Sequence, residues 1–259
     1  MSIDLTDYPP IAYDTKRREP DSVDDIRALR KWEAAIGYRL FAALRYGQLG
    51  DGHVTARDPE LTDHFWVLAY GVPFRSATVH DLTLVAPDGR IVEGPPAAAI
   101  NHAAYNIHYP IYSATASVAG AAHTHTPYGT PWSANAEPFR PISQESCSFV
   151  FDQGLYGGDD LEVVDTVGGQ RIAAALADHK VCILRNHGLL TGGDSPGTAV
   201  GWFVMAERVA EVHVKAPHGQ AISEEAAKEV AASMGDPAVG WRSFQWLARD
   251  LVPDPSVVL

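Results

Sequence analysis

Cysteine is scarce: Cys147 and Cys182 are the only two in 259 residues. Two thiols, each in an apolar stretch, cannot build a disulfide framework, and they fit a reducing, cytoplasmic setting. Dense Lys/Arg runs are also absent. With 20 basic against 32 acidic residues the formal charge is −12, so neither nucleic acid nor an anionic membrane is an expected partner. No uninterrupted apolar stretch of about 18 residues is present to span a bilayer, and no secretory apolar segment opens the sequence. A more local absence bears on chemistry: from Pro95 to Thr124 there is no Asp or Glu.

What is present reads as globular. Hydrophobic residues make up 46% of the chain, enough for a substantial core in one large domain or two small ones. Residues 1–20 are polar and contain Pro9, Pro10 and Pro20, which reads as a loosely tied N-terminal arm; residues 21–259 read as a single domain. Asp21 to Gly47 carries Ile26, Leu29, Trp32, Ile36, Leu40 and Leu44 at helical spacing behind Asp/Ser caps. Strands are expected at 53–56, 63–68 and 81–85, with Pro87-Asp88-Gly89 turning the last into a hairpin. Residues 101–116 read as a helix in which Pro110 starts a new turn or a kink. Strands follow at 118–124, 148–151 and 181–185, and helices at 168–179, 195–216, 223–234 and 241–251. Ser195-Pro196 is a suitable N-cap and N1 pair. Mixed helices and hairpins predict a layered α/β fold.

The most informative motif is Ala121-Ala122-His123-Thr124-His125, with a third histidine in Arg185-Asn186-His187-Gly188. Strand residues two apart share a face, roughly 7 Å apart. Placed at the end of a buried strand, His123 and His125 can share one metal ion, and His187 from another segment completes a three-histidine set with open positions. That is the pattern of a catalytic rather than a structural site. A lone His-x-His also arises by chance, and it gains weight here from its surroundings.

From Gly52 to about Lys215 the chain resembles the class II aldolase/adducin superfamily. The resemblance rests on Gly-His-Val-Thr-Ala-Arg-Asp-Pro-Glu (52–60), Asp-His-Phe-Trp-Val (63–67), Asp-Leu-Thr-Leu-Val (81–85) and Asp-Gly-Arg-Ile-Val-Glu-Gly (88–94). It continues through His-Thr-His-Thr-Pro-Tyr-Gly (123–129), Pro-Ile-Ser (141–143) and Arg-Asn-His-Gly-Leu-Leu (185–190). It implies a three-layer α/β/α fold around a largely antiparallel central sheet. It also implies a divalent metal at His123, His125 and His187, zinc before manganese or iron, and a cyclic homotetramer with sites at subunit boundaries. The departures place the chain near the adducin-like branch. Sugar-phosphate aldolases carry a Glu on the helix before His-x-His, and that position falls on or near Ala104. The phosphate loop reads Gly52-His53-Val54-Thr55, and Pro96-Ala97-Ala98-Ala99 stands where paired serines are usual. A phosphorylated substrate is not supported.

The chemistry that remains is a metal-dependent lyase reaction, aldol cleavage or decarboxylation, on a small keto or hydroxy acid through an enolate. Tyr128 and His108 are the candidate proton-transfer residues. His53 and His102 are the candidate substrate-binding residues, His53 as an imidazolium holding a carboxylate. Arg57 and Arg75 are alternative anion anchors, and Gln144 or Glu145 could orient the ligand histidines. Two other classes stay open: a non-haem iron oxygenase acting on aromatic hydroxy acids in a natural-product pathway, to which some members of this branch are similar, and a non-catalytic adducin-like module. Trp202, Phe203, Met205, Trp241, Phe244 and Trp246 read as core or subunit-contact residues.

Overall fold

A computed structural model describes residues 3–47 and 49–259; the first two positions of the expected N-terminal arm lie outside the described residues. Among the described residues eight strands form one sheet: β1 (Gly52–Arg57), β2 (Phe65–Leu68), β3 (Leu82–Val85), β4 (Ile91–Glu93), β5 (Gly120–Thr124), β6 (Gln153–Tyr156), β7 (Val181–Leu184) and β8 (Gly188–Gly193). Their order is β4-β3-β2-β1-β5-β8-β7-β6. Every pairing is antiparallel except β6 with β7. The centre of the sheet is therefore β1-β5-β8, three short strands rich in Gly, Ala and Thr that let helices approach closely on both faces.

Among the described residues seven helices complete the fold: α1 (Val23–Ala43), α2 (His102–Ala114), α3 (Gly129–Ser133), α4 (Thr166–Leu176), α5 (Pro196–Lys215), α6 (Glu224–Met234) and α7 (Pro237–Leu251). One sheet face packs on α1, α5 and α7 through Ile36, Phe41, Val54, Ala122, Val200, Phe203 and Phe244. The other packs on α2 and α4 through Phe65, Val85, Ala104, Ile107, Ile172 and Leu190. The result is three layers, α/β/α. Caps follow the sequence: Ser195 accepts from Thr198 N with Pro196 behind it, and Asp236 with Pro237 opens α7.

Several elements differ from expectation. Residues 145–148 form a 3₁₀ turn, and the edge strand comes later, at Gln153–Tyr156. α4 begins two residues early at Thr166, capped by Asp165, and α7 begins four residues early at the Asp-Pro pair. α2 runs through Pro110, as the helix expected at 101–116 does, with no new turn begun there. Pro110 removes the N–H that Asn106 O would have bonded, and that carbonyl faces Gly169 of α4 so closely that a Cβ there would sit 1.7 Å from it. The described part of the N-terminal segment is tied down: buried Arg17 pairs with Glu33 of α1 at 2.7 Å, and Tyr8 Oη donates to Val252 O at 2.6 Å.

Candidate metal centre

Two neighbours of β5 assemble the site. On one side β1 sets His53 directly opposite His123; on the other β8 sets Leu190 opposite His123 and Leu189 opposite Thr124. His125 lies just past the strand end. His187 sits in the three-residue connection from β7 to β8, where Asn186 adopts a positive φ of 56° that Asn tolerates better than most residues. Three separate pieces of chain thus meet at one sheet end.

The three rings converge. Centroid distances are 5.6 Å for His123–His125, 4.8 Å for His123–His187 and 5.0 Å for His125–His187. One ligand atom from each lies within 4.8 Å of the others, a spacing that one ion with bonds of about 2.1 Å bridges after small ring adjustments. His123 is buried, His187 half-buried and His125 exposed, so the cluster opens to solvent on one side. His123 donates Nδ1–H to Leu189 O at 2.8 Å, which leaves Nε2 as the lone-pair atom. His125 Nδ1 lies 3.4 Å from Asp51 Oδ2, so its Nε2 is also turned from the carboxylate. Outer partners of this kind fix the tautomer of a metal-binding imidazole. Burial and then the neighbouring imidazoles hold His123 well below the ordinary histidine value; burial and then His125 bring His187 down to about 4. Both rings are neutral at neutral pH, the form that binds a cation. The donor set fits a divalent metal with positions left for a substrate.

The remaining candidates divide. His53 joins the cluster, its ring centroid 5.1 Å from that of His123. Burial, then His108 and the other imidazoles, hold His53 well below the ordinary value, so it faces the site neutral and not as the expected imidazolium. His108 is fully buried, its pKa lowered to about 3 mainly by burial, and it reaches the site only through His53. Tyr128 is turned to α5: its ring lies 5.1 Å from Lys215 Nζ. Among the described residues no hydrogen bond joins it to the histidines. His102 is exposed at the first position of α2. Ala104 is buried among apolar side chains of the α2 layer.

Arg57 is no anion anchor. Its guanidinium donates to the carbonyls of Val118, Thr62, Tyr112 and Thr115. Arg75 is exposed, on the lining of a different cavity with Arg39 and Pro253. Glu145 is paired with Arg208 at 2.7 Å, so the orienting groups in place are Leu189 O and Asp51. Trp202, Phe203 and Phe244 are core, Trp241 is buried and Trp246 is two-thirds exposed.

One residue that supports the site had no motif to reveal it. Glu207 of α5 is buried and grips the turn after His125: it accepts from Thr126 Oγ1 at 2.6 Å, Tyr128 N at 2.9 Å and Gly129 N at 2.6 Å. Thr55 and Tyr112, by contrast, were detectable: Thr55 shares a strand face with His53, and Tyr112 shares a helix face with His108.

The architecture matches known proteins. The family described as Class II Aldolase and Adducin N-terminal domain matches residues 33–214, and the chain belongs to that family. The chain is 34% identical to a protein named Decarboxylase NovR from Streptomyces niveus, over 96% of each chain. It is also 34% identical to one named 4-hydroxy-3-prenylphenylpyruvate oxygenase/4-hydroxy-3-prenylbenzoate synthase from Streptomyces roseochromogenus subsp. oscitans, over 87% of this chain and 82% of that one. Among solved structures, an L-fuculose 1-phosphate aldolase from Glaciozyma antarctica PI12 superposes with a TM-score of 0.81 at 32% identity, covering 92% of this chain and 96% of that one.

Proposed function

We propose that the protein is a divalent-metal-dependent lyase that decarboxylates, or cleaves by retro-aldol chemistry, a small keto or hydroxy acid with an aromatic side chain. The observation that carries this reading is the convergence of three imidazoles, His123, His125 and His187, at an open sheet end, with the one nearby carboxylate, Asp51, behind His125 and outside the ligand set. A bound divalent ion supplies Lewis-acid polarisation of a carbonyl and stabilises charge on an enolate oxygen. The chain's own residues supply the rest. Leu189 O and Asp51 hold two of the rings in the ligating tautomer. His53 stands beside His123 as the polar group positioned to meet a substrate oxygen. The aromatic preference draws on the pocket of about 320 Å³ that His53 shares with Tyr38, Tyr70 and Phe74. Apolar walls with a few placed polar groups are the usual make-up of a small-molecule site.

A second reading is an oxygenase with iron in the same site. It is favoured by the name of the Streptomyces roseochromogenus relative and by a donor set that also suits iron(II). The homotetramer implied by the family resemblance belongs to the same proposal. The deciding experiment is elemental analysis of the purified protein followed by CO₂ release from arylpyruvates and aryl hydroxy acids, with and without dioxygen. Release independent of dioxygen supports the lyase. Strict dioxygen dependence with bound iron replaces it by the oxygenase, and a protein that takes up no metal overturns both.

A further inference from the structure

The face of β1 turned to α2 carries His53 and Thr55, and the facing stripe of α2 carries His108 and Tyr112, one helical turn apart. These four side chains form one buried line of hydrogen bonds: Tyr112 Oη to Thr55 Oγ1 at 2.7 Å, Thr55 Oγ1 to His108 Nδ1 at 2.6 Å, and His108 Nε2 to His53 Nδ1 at 2.6 Å. Each neutral ring carries one proton, so the line has a direction.

The direction is set at the inner end. Among the described residues the Tyr112 hydroxyl has only Thr55 Oγ1 as partner, so a phenol that did not donate there would leave a buried proton without an acceptor. The Thr55 proton then chooses between His108 Nδ1 at 2.6 Å and Ala121 O at 3.5 Å, and the second is too long to compete. Thr55 therefore donates to His108 Nδ1, the His108 proton sits on Nε2 and is given to His53 Nδ1, and the His53 proton is left on Nε2. That atom makes no hydrogen bond among the described residues, and His53 lines the pocket shared with Gly52, Tyr70 and Asn101.

We propose that the Tyr112–Thr55–His108 line fixes His53 as the Nε2–H tautomer, so that His53 donates a hydrogen bond to an acceptor oxygen of the substrate and is not a fourth metal ligand. The substrate class rests on the function proposed above; the tautomer does not. Thr55, His108 and Tyr112 are positioning residues, and His53 is the group that meets the substrate. A neutral donor needs no protonation to act, so substrate binding through it does not require acidic pH.

Long-range ¹H–¹⁵N spectra of the full chain labelled at histidine test this, recorded without metal, with Zn²⁺, and with Zn²⁺ plus oxalate as a planar oxyanion probe. The expected result is a protonated Nε2 and an unprotonated Nδ1 at His53 in all three states, with the Nε2–H proton shifted on oxalate addition. Thr55→Val, which removes the hydroxyl but keeps the strand-compatible shape, splits His53 between tautomers, and Thr55→Ser restores the single form. The proposal is overturned by a protonated Nδ1 at His53 in the wild-type chain, by loss of the Nε2 proton on Zn²⁺ addition, or by a Thr55→Val spectrum identical to wild type. Failure of Zn²⁺ to bind would appear in the titration itself and would count against the metal reading, leaving the tautomer readable in the metal-free protein.

Discussion

Removing the Glu207 carboxylate should loosen the turn that carries His125. Its two oxygens accept three hydrogen bonds, from Thr126 Oγ1, Tyr128 N and Gly129 N, and Glu207 is 2% exposed. Two of these donors are backbone N–H groups at the start of α3, which has no side-chain N-cap, so Glu207 takes that part. The turn has no slack: a Cβ on Gly129 would lie 2.8 Å from Glu207 Oε2 and 2.9 Å from Leu189 Cδ1. Glu207→Ala leaves three donors without their acceptor, at about 1–3 kcal/mol for each one that stays dry. Burial raises the Glu207 pKa, so part of that loss is returned when the desolvated carboxylate is removed. A net cost of about 3 kcal/mol is expected, and about half that for Glu207→Gln, which keeps one acceptor oxygen. Urea unfolding of the metal-free variants measures this. Because Thr126 is bonded directly to His125, Zn²⁺ affinity should also fall about tenfold in Glu207→Gln, in line with the loss of outer partners at metal sites. A Glu207→Gln protein with wild-type stability and wild-type Zn²⁺ affinity would refute the reasoning.

Three further outcomes follow from other parts of the fold. His125→Ala should lower Zn²⁺ affinity by more than about 100-fold, beyond the effect of any outer partner, with unfolding in the absence of metal little changed because His125 is exposed; a chelator-competition titration showing full occupancy would remove it from the ligand set. Asp58 is buried and paired with Arg27 at 2.7 Å; against the penalty of burial, hydrogen bonds from Arg27, Leu61 N, Trp66 and Glu60 N bring its pKa down to about 2. A lowered carboxyl pKa means stability present above the unfolded value near 4 and lost as pH falls towards 2, on the order of 2 kcal/mol. Denaturation midpoints between pH 6 and 2.5 should show this loss in the wild type and a shallower one in Asp58→Asn. Gly169→Ala places a methyl against Asn106 O, where the ideal Cβ lies at 1.7 Å, so α4 must move off α2; a cost of about 3 kcal/mol or more is expected from such overpacking, and a thermal midpoint equal to wild type would count against the close contact.

The parts of the site legible in the sequence are those where one local rule decides. His123 and His125 bracket a strand end, and the period of two places their rings on one side. His187 follows a strand and precedes a glycine, which marks a turn. The family pattern supplied the meeting of these pieces, since nothing local says that the β7–β8 connection returns to the end of β5. The element misjudged is one where tertiary packing outweighs local preference: the strand expected at 148–151 is instead the end of a 3₁₀ turn over Glu145–Ser148 and the turn after it, although Phe149, Val150 and Phe151 are apolar.

The roles given to single side chains fared differently, for an electrostatic reason. A histidine in a polar-looking Gly-His-Val-Thr string invites a charged reading, but charge depends on burial, and burial is a property of the whole sheet. Placed on β1 beside β5 and against α2, His53 meets the imidazoles of His108, His123, His125 and His187 and almost no water, so its protonated form is the one the fold disfavours. The same enclosure makes hydrogen-bond direction, in place of charge, the variable that this site controls. Ala104 belongs to that logic. Its methyl lies in the apolar layer one turn before His108 on α2, so that stretch of the helix brings no carboxylate to the histidines and leaves the imidazole–hydroxyl line as its polar contribution. A centre built this way takes its one nearby carboxylate, Asp51, from behind His125 and none from the α2 side.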